Sequence, residues 1–231
     1  MLKLGIMAQQ KGERHMNVIA INGSARKRWN TAQLLEKALE GAAEKGATTK
    51  LVHLYDLDFK GCISCFGCKQ KGGKSYGRCA MRDDLTPLLD EIHAADAVIM
   101  GTPVYLASES SGFRAFAERL VFQYLVYANP PGSLFPRRIP AAVVYTMGAP
   151  EVAQKAMGYD HFIEQNRRHL EMILGSCETL VSYDTLQFDD YAKYESGMFD
   201  PDAKMERHRE VFPQDKAKAK ELGYRLLDPI Q

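Results

Sequence analysis

Four cysteines with a spacing suited to metal chemistry lie within residues 62–79. Two residues separate Cys62 from Cys65 and Cys65 from Cys68, and ten residues then separate Cys68 from Cys79. Three thiolates at this spacing lie on one curved loop and can hold three corners of a [4Fe–4S] cluster, with a more distant cysteine as fourth ligand. The sequence therefore predicts a metal site formed by Cys62, Cys65, Cys68 and Cys79.

The same four cysteines allow two other interpretations. Four thiolates also suit zinc, although zinc sites more often use two paired Cys-x-x-Cys motifs. Alternatively, the thiols are reduced and unliganded in a loop near a redox cofactor. The N-terminal apolar stretch is too short for a signal peptide, so we expect a cytoplasmic protein in which clustered cysteines indicate metal or redox chemistry rather than disulfides.

A polar segment lies between an apolar run and a helix-like pattern, with the sequence Gly23-Ser24-Ala25-Arg26-Lys27-Arg28-Trp29-Asn30-Thr31. Unpaired N–H groups at the start of a helix bind anions, and Ser24, Asn30 and Thr31 add side-chain donors. Arg26 and its two cationic neighbours offset a dianion. Neither a G-x-G-x-x-G nor a Walker motif is present, so we predict a single terminal phosphate, as in FMN. The alternative is that Asn30 and Thr31 only cap the helix.

A second predicted ligand loop follows the apolar run Ala97–Met100. Because Pro103 lacks an N–H and fixes φ, we predict that the chain turns there. Pro103, Val104 and Tyr105 then present backbone groups and a flat side chain to a planar ligand.

A third predicted ligand loop follows the strand pattern at Ile139–Thr146. It contains Met147 and Gly148, and a glycine there permits a close backbone approach or a positive φ. We predict that this loop approaches the planar ligand from the other side.

Together these motifs resemble the NADPH-dependent FMN reductase family of flavodoxin-like proteins. With the four cysteines, the chain looks most like the iron–sulfur flavoprotein branch. The resemblance covers residues 16–175, and it implies FMN, an NAD(P)H donor, a possible [4Fe–4S] cluster and assembly as a homodimer or homotetramer. Trp29 departs from the glycine that the family usually has before Asn-Thr, and the Cys68–Cys79 spacer is longer than usual.

Alternating patterns supply the elements that position these residues. Five strands are predicted, at Met16–Ile21, Thr49–Tyr55, Ala97–Met100, Ile139–Thr146 and Glu178–Leu186. Helical patterns cover Thr31–Lys45, Asp84–Ala94, Gly112–Tyr127 and Glu151–Leu174, with a closing helix that includes Leu222–Leu227. This order predicts an α/β, flavodoxin-like, doubly wound five-stranded parallel sheet in a three-layer α/β/α fold. Its ligands bind at the carboxyl ends of the strands, where the first and third strands meet.

The chain has 231 residues, 45% of them hydrophobic, which suits one large domain. We predict that residues 1–15 are an N-terminal extension from a misassigned start, because residues 11–13 can be encoded by a ribosome-binding sequence upstream of the Met16 codon. Residues 16–231 then form one FMN-binding domain, with a cysteine-rich loop at 60–81 and a C-terminal extension at 188–231. A net charge of +1 gives no reason to expect nucleic-acid or membrane partners.

The functional prediction is an NAD(P)H-dependent, FMN-containing oxidoreductase. It passes electrons through FMN, with or without a cluster, to a small-molecule or protein acceptor. The alternative is a non-enzymatic, flavodoxin-like electron carrier. The aromatic stripe on the predicted Gly112–Tyr127 helix further predicts that this helix lies near a subunit interface.

Overall fold

The computed structural model describes residues 15–228. The predicted misassigned start therefore falls almost entirely on residues 1–14, outside the described part of the chain. The strands are β1 (Asn17–Asn22), β2 (Thr48–His53), β3 (Ala97–Tyr105), β4 (Ser108–Glu109), β5 (Leu125–Val126), β6 (Gly132–Ser133), β7 (Ile139–Thr146) and β8 (Gly175–Ser182). The α-helices are α1 (Asn30–Glu44), α2 (Leu85–Ala94), α3 (Ser111–Tyr124), α4 (Ala153–Ala156), α5 (Tyr159–Leu174), α6 (Pro201–Glu210) and α7 (Phe212–Arg225).

The five long strands form one parallel sheet in the order β2-β1-β3-β7-β8. The chain passes from β1 out to β2 and then returns to β3 on the other side of β1, so β1 and β3 are neighbours at the switch point. This arrangement confirms the predicted flavodoxin-like fold. The short strand β4 pairs with the end of β3 as an antiparallel hairpin.

Helices cover both faces of the sheet, since successive side chains of each buried strand point to opposite sides. On β1, Val18 and Ala20 pack towards α1 and α7, in a core that also contains Leu35 and Leu222. Ile19 and Ile21, which point to the opposite side of β1, pack towards α2, α3 and α5. The three predicted layers are therefore present.

α1 and α7 cross closely because glycines lie at the crossing. A Cβ placed on Gly223 would lie 1.8 Å from the carbonyl oxygen of Ala38, and one placed on Gly41 would lie 1.9 Å from the carbonyl oxygen of Lys220. The C-terminal helix therefore packs directly against the backbone of the helix that begins at Asn30.

The predicted turn at Pro103 is wrong. β3 continues through Pro103 to Tyr105, and the chain reverses at Leu106 and Ala107, whose φ angles are 48° and 62°. β1 ends opposite Gly101, which leaves Pro103 near the open end of the sheet, where a residue without an N–H is tolerated.

The C-terminal third differs from the sequence prediction in detail. β8 begins at Gly175 and ends at Ser182, so it lies a few residues before the predicted strand. Asp184 has a φ of 51°, and the chain from there turns back towards the sheet edge instead of extending the strand. Helix α6 was not predicted, because its sequence is highly charged and lacks an apolar stripe. Within residues 15–228, no helix has the length and apolar character needed to cross a membrane.

Candidate functional site

The carboxyl ends of β1, β3 and β7 enclose one cleft, which the loop after β8 completes. The structure brings to its lining all nine residues predicted to bind a cofactor: Ser24, Arg26, Asn30, Thr31, Pro103, Val104, Tyr105, Met147 and Gly148. Sequence reasoning missed five other lining residues, namely Trp29, Thr146, Thr185, Leu186 and Gln187. Trp29 and Thr146 adjoin residues that were predicted, whereas no motif marks Thr185, Leu186 and Gln187, because the fold alone brings the loop after β8 to this edge.

The start of α1 forms one end of the cleft and has no side-chain cap. Trp29 is the N-cap residue, no side chain accepts a hydrogen bond there, and the first turn contains no acidic residue. The first backbone N–H groups of a helix have no partner within the helix and carry the positive end of its dipole. The structure therefore does not support the interpretation that Asn30 and Thr31 only cap α1. Trp29 has a φ of −100°, so its backbone does not require the glycine usual in the family.

Hydroxyl groups line the same end of the cleft. The backbone N–H of Arg26 donates to the Ser24 Oγ at 3.1 Å, which leaves the Ser24 hydroxyl hydrogen available for a ligand. Thr31 Oγ1 lies 2.8 Å from Thr146 Oγ1, so these two hydroxyls are held together below the start of α1. The hydroxyls predicted as donors are thus fixed in place by the surrounding loops.

The segment after β8 is held against the start of α1. Trp29 Nε1 and Asn30 Nδ2 both donate to the carbonyl oxygen of Leu186, at 3.1 and 2.9 Å. Arg26 Nη1 donates to the carbonyl oxygen of Gln187 at 2.6 Å. An asparagine amide carries two hydrogens, so Asn30 retains a second donor. These contacts make the loop after β8 a wall of the cleft.

One cation, rather than the three predicted, faces the cleft. Arg26 is the charged residue among the lining side chains that the structure describes. Lys27 forms an ion pair with Asp56 instead. Arg28 lines an adjoining surface pocket, which shares three lining residues with the cleft. A positive cleft without a carboxylate on its lining suits an anionic ligand.

Tyr105 forms the outer part of the cleft and is partly exposed. Burial raises the pKa of its phenol, and the nearby Arg26 cation only partly opposes this shift. Tyr105 is therefore neutral at ordinary pH and offers an uncharged aromatic ring.

The loop after β7 is fixed by its backbone. The N–H of Met147 donates to the carbonyl oxygen of Ser182 at 3.0 Å, and the Met147 side chain is buried in the core. The carbonyl oxygen of Gly148 accepts from Lys204 Nζ at 2.6 Å. Of the two conformations that a glycine permits at position 148, the positive φ is not adopted. The nearest atom to a Cβ placed there would be Gln187 Oε1 at 3.6 Å, so the space in front of Gly148 is open.

The four predicted metal-binding cysteines line a second pocket, separate from the cleft. Cys68 is buried and Cys65 is exposed. Burial raises the pKa of the Cys68 thiol, and the neighbouring thiols of Cys79 and Cys62 raise it further against the effect of Lys69. Among residues 15–228, however, no three Cys, His, Asp or Glu side chains converge closely enough to hold a metal ion.

The cysteine loop is attached to the C-terminal end of α3. Lys69 Nζ donates to the carbonyl oxygens of Phe122, Gln123 and Leu125, the last at 2.6 Å. The N–H of Gly77 donates to the carbonyl oxygen of Cys68 at 3.0 Å, which brings the returning part of the loop alongside the first three cysteines. The long spacer is thus folded back rather than extended.

Two polar side chains of α3, Arg119 and Gln123, also line the cysteine pocket, and both are buried. Arg119 Nη1 donates to the carbonyl oxygen of Lys60 at 3.2 Å and to the carboxylate of Asp83. Gln123 Oε1 accepts from the N–H of Cys79 at 2.9 Å. Arg119 Nε and Nη2 and Gln123 Nε2 have no partner. Four thiols beside unpaired N–H donors suit an anionic iron–sulfur centre, whose sulfur atoms accept hydrogen bonds.

The fifth cysteine lies apart from this pocket. Cys177 is buried in β8, opposite Ala141 of β7. Burial raises the pKa of its thiol to about 12. Cys177 is therefore a protonated core residue.

Comparison with known proteins identifies relatives of this chain. The family model for NADPH-dependent FMN reductases matches residues 16–159. An iron-sulfur flavoprotein of Methanocaldococcus jannaschii is 36% identical over 104 residues, which cover 45% of this chain and 51% of that protein. An iron-sulfur flavoprotein of Archaeoglobus fulgidus is 37% identical over 93 residues, which cover 40% of this chain and 43% of that protein. The chain spans about half the length of the curated relatives it matches.

Solved structures share the fold over nearly the whole chain. An NAD(P)H:quinone oxidoreductase from Methanothermobacter marburgensis matches with a TM-score of 0.66 and 16% identity, covering 92% of this chain and 99% of that one. An azoreductase from Bacillus anthracis matches with a TM-score of 0.63 and 14% identity, covering 91% and 99%. At these identities the likeness establishes the fold alone.

Proposed function

Because the chain belongs to the NADPH-dependent FMN reductase family, we propose that it is an FMN-containing oxidoreductase that takes electrons from NAD(P)H. It passes them to a small-molecule or protein acceptor. The observation that carries this proposal is the cleft at the uncapped start of α1, which all nine predicted cofactor residues line. Family membership favours this enzyme over the non-enzymatic electron carrier.

The start of α1 would hold the terminal phosphate. Its free N–H groups, the hydroxyls of Ser24 and Thr31 and the second amide hydrogen of Asn30 are the hydrogen-bond donors at this end of the cleft. Arg26 supplies the opposite charge. Pro103, Val104 and Tyr105 on one side, and the loop from Met147 to Gly148 on the other, would then frame the ring system.

The chain's own contribution is binding and orientation. When bound, FMN supplies hydride exchange with a nicotinamide and electron transfer in single or paired steps. Among the described residues, the cleft lining contains no carboxylate and no imidazole, and the Tyr105 phenol is neutral. We therefore assign no acid or base to the protein.

We further propose that a [4Fe–4S] cluster is held by Cys62, Cys65, Cys68 and Cys79. Their spacing, their common pocket and the iron-sulfur flavoproteins among the relatives support it. Because the four sulfurs do not yet converge, binding would draw the loop inwards. Protein purified without oxygen should contain about four irons per chain.

Cysteine-to-serine variants test the ligand set, with Cys177→Ser as a matched control. Any single change among the four proposed ligands should remove iron and leave FMN bound, because the cleft is separate from the pocket. Cys177→Ser should alter neither. Zinc instead of iron, or FMN-replete protein without metal, would contradict the cluster and leave an FMN oxidoreductase.

Ligand binding tests the cleft itself. Ser24→Ala and Thr31→Val each remove a proposed hydrogen bond to a charged group, and the valine keeps the threonine shape. Each should weaken FMN binding by about 1.5–3 kcal/mol, the range for such bonds. Thr179→Val, on β8 away from the cleft, should leave FMN affinity unchanged. Riboflavin, which lacks the phosphate, should bind far more weakly than FMN, and equal affinities would refute the phosphate site.

A further inference from the structure

Two buried side chains of α3 are positioned to act on whatever the cysteine pocket holds. We propose that Arg119 and Gln123 donate N–H···S hydrogen bonds to the iron–sulfur cluster and its cysteine ligands, and so raise its reduction potential. This inference rests on the proposed cluster. Both are positioning residues of the electron-transfer centre, outside the proposed cysteine ligand set.

The first supporting observation is the concentration of unpaired donors at this one wall. Arg119 and Gln123 are 1% and 2% exposed and lie four residues apart, so they share one face of α3. Five buried side-chain nitrogens lack a partner in the part of the chain that the structure describes, and three of them belong to this pair. A buried donor without a partner is costly, and more so on a charged group, so such a group in a folded protein points to a missing acceptor.

The second observation is that other contacts already fix the orientation of both side chains. Gln123 Oε1 accepts from the N–H of Cys79 at 2.9 Å, which places the unpaired Nε2 on the other side of the same amide group. One nitrogen of Arg119 is held by the carboxylate of Asp83 and the carbonyl oxygen of Lys60, which leaves Nε and Nη2 free at the pocket wall. Both side chains are therefore held at the pocket by contacts that do not use these three nitrogens.

The third observation concerns charge and solvent. The remaining walls of the pocket are mostly apolar, with Ile63, Phe66 and Phe122 beside the cysteines, and Ile63 and Phe66 lie at its exposed outer side. Hydrogen bonds to sulfur and the exclusion of solvent are among the properties that set the potential of an iron–sulfur cluster. Reduction adds one negative charge, so fixed N–H donors stabilise the reduced form more than the oxidised form, whereas the charge of Arg119 is largely offset by Asp83. Removing these donors should therefore make the cluster harder to reduce.

The test uses the holoprotein, purified without oxygen, and three variants. Arg119→Lys keeps the cation beside Asp83 but loses the forked guanidinium donors. Gln123→Met removes the amide and keeps the side-chain length. Tyr124→Phe is the matched control, because its hydroxyl is also buried on α3 but bonds to His93 instead of lining the cysteine pocket. Iron, FMN and the midpoint potential of the cluster, followed by electron paramagnetic resonance, are measured for each protein.

The expected result is that both pocket variants retain iron and FMN but have more negative cluster potentials, while Tyr124→Phe matches the wild type. A tenfold loss in the relative stability of the reduced cluster corresponds to a shift of about 59 mV for one electron. Unchanged potentials in iron-replete variants would overturn the inference and leave the proposed cluster intact. Wild-type protein that binds FMN but no iron would overturn the cluster and this inference together. Should Arg119→Lys fail to fold, the potential of Gln123→Met decides the matter.

Discussion

Replacing Gly223 by alanine tests how closely the backbones of α1 and α7 approach each other where they cross. The new Cβ would lie 1.8 Å from the carbonyl oxygen of Ala38, about 1.6 Å short of the 3.4 Å at which ordinary contact begins. That oxygen belongs to a helix backbone, so no side-chain rotation relieves the clash, and α7 or α1 has to move.

The expected change in stability is opposite in sign to that of a glycine-to-alanine replacement in an ordinary helix. Glycine to alanine within a helix normally stabilises by about 1 kcal/mol. Overpacking a tight contact costs about 1–3 kcal/mol, and a contact with rigid backbone belongs at the upper end of that range. We therefore expect Gly223→Ala to reduce the free energy of unfolding by about 2 kcal/mol, which lowers Tm by about 4–8 °C at this chain length.

Urea denaturation and calorimetry measure the effect. Gly41→Ala, whose Cβ would lie 1.9 Å from the carbonyl oxygen of Lys220, should behave in the same way. Gly197→Ala is the control, because no atom lies within 4 Å of its Cβ position, and its effect should stay within about 0.5 kcal/mol. An equally stable or stabilised Gly223→Ala protein would refute the packing of α7 on α1.

Three further predictions concern thiol chemistry, pH and assembly. In metal-free protein, the exposed Cys65 should react with iodoacetamide well before Cys177, because burial raises the pKa of the Cys177 thiol to about 12. Mass spectrometry of tryptic peptides measures the order of labelling, and the reverse order would contradict this prediction. Burial lowers the pKa of His93, with Arg78 and Arg137 adding to the shift, so the folded state takes up this proton less readily than the unfolded state. The urea midpoint should therefore fall as pH drops below about 6.5, and fall less in His93→Gln; identical pH profiles would contradict this. Light scattering at micromolar concentration should give the mass of a dimer or tetramer, because α3 and α5 border an apolar groove, and a monomeric mass would contradict that assembly.

The sequence predicted correctly those features that depend only on neighbouring residues in the chain. Apolar runs such as Ala97–Met100 identified the central strands, because a strand covered on both faces has to be apolar throughout. Asn30 and Thr31 could be placed at a helix start from their neighbours alone. The same local reasoning failed at Pro103, because the end of the neighbouring strand β1 decides whether its missing N–H matters, and that is a property of the sheet.

The rest of the site depends on distant parts of the chain. Leu186 forms a wall of the cleft only because the fold brings the loop after β8 to Trp29 and Asn30. Lys27 carries the same charge as Arg26, yet its partner Asp56 lies beyond β2. Arg119 and Gln123 are polar residues on the buried side of α3, and their role becomes apparent only when the cysteine loop is seen to pack against them. Tertiary contacts of this kind leave no local pattern.

The most direct test of the account is an absorbance spectrum of the protein purified without oxygen and then titrated with NADPH or NADH. We expect stoichiometric bound FMN, visible as flavin absorption, which bleaches when the nicotinamide is added. Protein that contains no FMN and takes up none when FMN is supplied would contradict it.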